Sequence, residues 1–177
     1  KDEVEITFRS FQLDPNAKRH PDQDIHQLIA NKYGMSYESA KANNDRIVAA
    51  AAEVGLAYRF DLLKPNQTAT AHQLAQYAKE MGKEKEVVLR FFQGYFEEGI
   101  DIGDQDILLE LVEEAGLNKK DAQEALEKKR FIEKVAQDQR DAEKIWIDVV
   151  PYFISGKERI SGAQSVEEFL EFLRKAY

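Results

Sequence analysis

The chain has 177 residues, of which 43% are apolar and 33% charged, with a net charge of −8 and a pI near 5.0. Such a length supports a real hydrophobic core. The acidic balance argues against nucleic-acid binding, which needs clustered Lys and Arg. No apolar stretch reaches the roughly 18–20 residues that cross a bilayer, and no membrane role is expected. No segment shows the basic, apolar and small-residue pattern of a signal peptide, so the expected compartment is cytoplasmic. Cysteine is absent, which excludes disulfides, thiolate metal sites and thiol chemistry within these residues.

Val4-Glu5-Ile6-Thr7-Phe8-Arg9 alternates apolar and polar residues, the period of a strand with one buried face. Asp14-Pro15-Asn16 then marks a turn. From about residue 22 to 146 the period is helical. Ile25, Leu28 and Ile29 form a short stripe ending at Gly34. Ser36 is placed to N-cap a helix through Ile47, Val48 and Ala51, which closes at Gly55. Leu62-Leu63-Lys64-Pro65-Asn66 reads as a connector, and Thr68 or Thr70 opens a helix presenting Leu74, Ala75, Ala78 and Met81.

Val87, Val88, Phe91, Phe92, Tyr95 and Phe96 give the next helix a wide apolar face, stopped by Gly99. Asp104 and Asn118 cap two more helices, and a last pattern runs from Ile132 to Ile145. The period then returns to that of a strand over Val149–Ile154. Gly156-Lys157 fits a type II′ hairpin turn, and Glu158–Gly162 is the return strand. Ser165-Val166-Glu167-Glu168 matches a capping box, opening a helix that presents Val166, Phe169, Leu170 and Leu173.

Pro151 is the unusual residue. It opens an otherwise buried-looking strand, although proline has no N–H to give a sheet. A small apolar residue and proline, then a strand, a hairpin and a capped helix, resemble the C-terminal half of a thioredoxin fold. "FRSFQLDPN" (8–16), "TAHQL" (70–74), "FFQGYFEEGIDIGDQDILLELVEEAGL" (91–117) and "ISGAQSVEEF" (160–169) resemble, in that order, the FrnE-like branch of the DsbA family.

The resemblance implies an α/β fold, a thioredoxin-like sheet carrying a large helical insertion. Residues 1–19 and 147–177 would form the thioredoxin-like part and 20–146 the insertion. It further implies a thiol–disulfide oxidoreductase or isomerase acting on protein or peptide disulfides. The Cys-x-x-Cys pair of that family sits on a strand–helix unit ahead of the point where this sequence begins. The expectation is therefore a longer polypeptide, by about 30–40 residues for a strand, turn and helix.

No nucleophile is expected within these residues. By resemblance Val150 and Pro151 form a cis-proline loop facing the substrate, and the backbone of Val150 pairs with an extended peptide. The plain alternative is a proline that only starts an edge strand. His72, in the first turn of its helix, is a candidate to line the substrate groove, against the alternative of a solvated helix-start histidine. Two other readings stay open: a redox-inactive peptide-binding module, and a glutathione-dependent isomerase of the wider family with serine in place of cysteine.

No cofactor is implied, because no Gly-rich phosphate loop is present. No metal is implied either. His20, His26 and His72 lack the i, i+4 spacing of paired ligands, and Asp101, Asp104 and Asp106 do not have the spacing of an EF-hand loop. Phe91, Phe92, Tyr95, Phe96 and Trp146 are expected to pack between insertion and sheet, with a peptide-binding wall as the alternative.

Overall fold

The computed structural model describes residues 4–18 and 23–176. His20 and the start expected for the helical segment, at 20–22, lie outside the described residues. The elements in chain order are α1 (Ile25–Tyr33), α2 (Tyr37–Glu53), α3 (Ala69–Glu80), α4 (Glu84–Phe96), α5 (Gln105–Glu114), α6 (Lys119–Glu127), α7 (Ile132–Lys144), β1 (Tyr152–Ser155), β2 (Glu158–Ser161) and α8 (Val166–Ala176).

The helix starts follow local chemistry. The side chains of Asp24, Ser36, Asp104 and Asn118 each accept a backbone N–H of the first turn that follows, supplying acceptors that the helix itself cannot. Gly34 ends α1 in the left-handed conformation, φ 65°. At α8 the capping box is complete. The Glu168 N–H donates to Ser165 Oγ at 3.2 Å, and the Ser165 N–H donates to Glu168 Oε2 at 2.9 Å.

The main core lies among α3, α4, α5 and α6, closed by Phe131. Leu74, Val87, Leu108 and Val112 are completely buried there. Full burial of such side chains contributes roughly 1.5–3 kcal/mol each. Helix α3 is the hub, packing on α4, α5, α6 and α7, while α1 packs on α2. Met81, expected on the buried side of α3, is instead half exposed, because the chain has already left the helix at that position.

β1 and β2 form an antiparallel pair with Ser155 opposite Glu158. The two-residue turn between them has Gly156 at φ 59° and no positive φ at Lys157, as a type II′ turn requires. β1 begins at Tyr152, not at Val149. Helix α8 packs on β2, with Phe169 set edge-on to Phe153 at 4.8 Å. Its buried residue is Phe172, whereas Val166 and Leu170 face outward.

The expected strand over Val4–Arg9 does not form. The segment has no assigned secondary structure and pairs with no strand among the described residues, and Val4 and Ile6 are exposed. A strand assignment needs a ladder partner, and alternation of side chains alone cannot supply one. Downstream, the same segment runs onto the helices, where side chains take its backbone groups.

One close approach fixes the loops beside α4. Gly99 has φ 67°, and a Cβ there would sit 2.6 Å from Leu62 Cβ and 2.8 Å from the Leu62 carbonyl oxygen. Gly55 has φ 83° but open space around it. Gly99→Ala is therefore expected to cost about 2–4 kcal/mol, from strain plus overlap. Gly55→Ala is expected to cost only about 1 kcal/mol, from strain alone. Urea unfolding of the two variants checks this; equal losses would contradict the packing of Leu62 on Gly99.

Candidate substrate-binding site

The stretch before β1 is apolar and open. Trp146 is 89% exposed and holds φ 60°, and Val149, Val150 and Pro151 are all exposed. Trp146 thus does not pack between helices and sheet as expected. The Val150–Pro151 peptide bond is cis. The Pro151 carbonyl accepts the Gly162 N–H at 2.7 Å, extending the hairpin by one pair. Proline's missing N–H costs the sheet nothing here, because the ladder proper starts one residue later. Among the described residues no hydrogen bond engages the backbone of Val150.

The other aromatic residues divide between core and surface. Phe91 is buried. Phe96 stacks on Tyr58 at 4.8 Å and meets Tyr95 edge-on at 4.9 Å, with Phe60 and Phe92 a little farther away. Burial, with the Asp101 carboxylate adding to it, pushes the Tyr95 phenol up to about 12. Asp104 serves as the N-cap of α5. No group of His, Asp and Glu side chains able to hold a metal occurs among the described residues.

His72 belongs to a second constellation. His72, Gln76 and Lys79 follow one another at i, i+4 and i+7, so they share one face of α3. Across that face runs the segment Phe8–Gln12. Lys79 Nζ donates to the Phe8 carbonyl at 3.1 Å, and the Phe8 N–H donates to Glu84 Oε2 on α4 at 3.3 Å. The Ser10 N–H donates to Asp138 Oδ2 on α7 at 2.9 Å, and the Gln12 N–H to Gln139 Oε1 at 3.0 Å. Gln76 Nε2 donates to both Ser10 Oγ (3.1 Å) and Asp138 Oδ2 (2.7 Å). Arg9 Nη1 meets the other Asp138 oxygen at 2.6 Å.

Helix side chains accept the N–H groups of residues 8, 10 and 12. Asp138 is buried, with its side chain only 4% exposed, while Arg9 remains largely in solvent. A buried carboxylate is tolerated because Arg9, Ser10 and Gln76 occupy its oxygens. His72 is half-buried near the Asp138 carboxylate and the Phe11 backbone. Burial lowers its pKa from the ordinary 6.5, opposed by the Asp138 carboxylate and by the Phe11 contact.

The three sequence candidates therefore fall in two places. Val150 and Pro151 head the hairpin, His72 lies under Phe8–Gln12, and no hydrogen bond among the described residues joins the two. Asp138, Gln76 and Ser10 were not anticipated. A signal existed for Asp138: it follows Val135 by three residues on the buried stripe of α7, where an unpaired carboxylate is rare.

Comparison with known proteins agrees with this architecture. Residues 1–174 match the DSBA-like thioredoxin domain, and the chain belongs to that family. Its fold is accordingly the thioredoxin-like α/β fold with a helical insertion. A crystal structure of a probable DsbA oxidoreductase from Streptomyces coelicolor superposes with a TM-score of 0.88 at 34% identity, covering 95% of this chain and 73% of that one. The uncharacterized protein YwbO of Bacillus subtilis (strain 168) is 36% identical over 121 residues, which are 67% of this chain and 60% of that protein's length. The family is one of thiol–disulfide oxidoreductases. No described helix is long and apolar enough to cross a membrane.

The lowered His72 pKa makes stability depend on pH. As pH falls below 6.5 the unfolded chain takes up the proton first, so stability present above 6.5 declines toward the folded-state pKa. Denaturant unfolding of wild type and His72→Asn from pH 7.5 to 5 measures it. The wild type is expected to lose more stability than the variant across that window. Parallel curves would show that His72 is not held neutral by burial.

Proposed function

We propose that this chain is the substrate-side portion of a thiol–disulfide oxidoreductase of the FrnE-like branch, acting on protein or peptide disulfides in the cytoplasm. The observation that carries the reading is the open backbone of Val150 at the head of the hairpin, in a chain of the DSBA-like family. An extended peptide can pair with that unit while its disulfide is presented to a thiolate. In the exchange the thiolate attacks one sulfur, a mixed disulfide forms, and the other sulfur leaves as a thiolate. Since these 177 residues hold no cysteine, the attacking thiolate comes from a Cys-x-x-Cys segment outside them.

Residues 1–19 with 147–177 and residues 20–146 are proposed as the thioredoxin-like part and its insertion. Val150 and Pro151 contact the substrate backbone, and His72, under Phe8–Gln12, is proposed to line another part of the groove. The peptide-binding module without redox activity is the second reading, and the absence of any thiol from the chain is the observation favouring it. The glutathione-dependent isomerase differs from both in carrying serine at the first cysteine position.

The residues encoded upstream of Lys1, with an insulin-reduction assay on the whole natural polypeptide, decide among these. The expected result is a Cys-x-x-Cys pair and measurable reduction, with no activity from the 177 residues alone. A polypeptide with no cysteine that still binds peptides would establish the binding module instead.

A further inference from the structure

We propose that the cleft between α3 and α6 binds a primary ammonium group carried on an aliphatic chain, with Asp121 and Tyr77 as its acceptors. The cleft measures about 400 Å³, within the size range of small-molecule sites. Tyr77 and Met81 line it from α3 and its end, and Asp121, Glu124 and Ala125 from α6. Lys128 and Arg130, just past α6, complete the lining. At about 100° per residue, Tyr77 and Met81 sit roughly 140° and 180° around α3 from His72, away from the contacts of residues 8–12. None of the lining residues belongs to the Val150–Pro151 loop either, so this inference stands or falls apart from the redox reading.

Most of the lining charges already have partners. Lys128 pairs with Glu124. Arg130 Nη2 meets Glu80 Oε1 at 2.5 Å, and its guanidinium lies 5.2 Å from the centre of the Phe131 ring. Asp121 differs. Among the described residues its carboxylate has no ion pair or hydrogen bond. The charge left uncompensated in the cleft is therefore negative, and it calls for a cation.

Tyr77 supplies the second acceptor. The residue is only 3% exposed, and its ring meets Phe131 edge-on at 6.1 Å. Its hydroxyl has no hydrogen-bond partner among the described residues, yet no side-chain oxygen there is both buried and unsatisfied. The hydroxyl therefore opens into the cleft. Burial raises the phenol pKa above its ordinary 10.0, and the Asp121 carboxylate adds to the rise, opposed by Arg130. The hydroxyl thus stays protonated at neutral pH and keeps a lone pair to offer.

A lone carboxylate beside a hydroxyl suits an ammonium better than a metal ion. No group of His, Asp and Glu side chains able to hold a metal occurs among the described residues, and a hard cation such as calcium takes about six to eight oxygens. An ammonium brings N–H donors for both Asp121 and Tyr77. Met81, 50% exposed, offers apolar surface to the aliphatic body. A free alkylamine and a lysine side chain carry this same chemistry.

The test is titration of the full natural polypeptide with n-pentylammonium and with Nα-acetyl-lysine N-methylamide, read by amide and methionine-methyl NMR shifts. Saturable shifts at Tyr77, Met81, Asp121 and Ala125 are expected, with n-pentanol and pentanoate bound about tenfold or more weakly. Asp121→Asn is expected to weaken n-pentylammonium by about tenfold or more, and Tyr77→Phe by several-fold. Glu127→Gln, outside the cleft, should leave its binding unchanged. Tighter binding of the lysine derivative assigns the site to a lysine side chain of a polypeptide, and equal or weaker binding assigns it to a free amine. The proposal is overturned by equal affinity for n-pentanol, by unchanged affinity in Asp121→Asn, by an equal loss in Glu127→Gln, or by the absence of any saturable shift. If Asp121→Asn does not fold, Tyr77→Phe, which keeps the ring against Phe131, decides in its place.

Discussion

A carboxylate buried in a helical body has to be surrounded by donors, and Asp138 obtains most of its donors from outside the helices. Arg9 and Ser10 come from a segment nearly 130 residues earlier in the chain. The interaction therefore ties the N-terminal segment to α7, and Gln76 brings α3 into the same arrangement. Without Arg9 and Ser10, Asp138 would lose its cation and its backbone donor. An uncompensated buried charge of this kind is among the more costly defects a fold can carry.

The rest of the molecule is built from more local agreements. Helices α3 to α6 interdigitate around completely buried Leu74, Val87, Leu108 and Val112, and side-chain caps start α1, α2, α5 and α6. The hairpin and α8 form a separate compact association, in which Phe153 and Phe169 meet edge to face. The tight passage of Gly99 over Leu62 and the approach of Gly103 to Asn66 hold the α2–α3 connection against the α4–α5 connection.

Chemically the chain is one-sided. It offers donors, acceptors and an open peptide unit at Val150, but no atom able to attack a disulfide. Thiol–disulfide exchange needs a thiolate, so under the proposed function the contribution of these residues is recognition and positioning. The two candidate regions differ in kind. The Val150–Pro151 loop is exposed and apolar around Trp146. The His72 region is polar and covered.

Much of this was legible in the amino-acid order because its causes are local. Ser36, Asp104, Asn118 and the Ser165–Glu168 box announce helix starts through groups three or four residues apart, and Gly156-Lys157 specifies its own turn. The family resemblance likewise rested on short ordered segments. What the order could not show depended on partners distant in the chain. Val4–Arg9 has the alternation of a strand, yet a strand exists only where another backbone lies beside it. His72 and Pro151 were each recognised singly, but the burial of His72 near Phe11 and Asp138 had no sequence signature. Asp138 read as one more charge on a charged helix. Only tertiary packing buried it, because burial is set by what the rest of the chain lays on top.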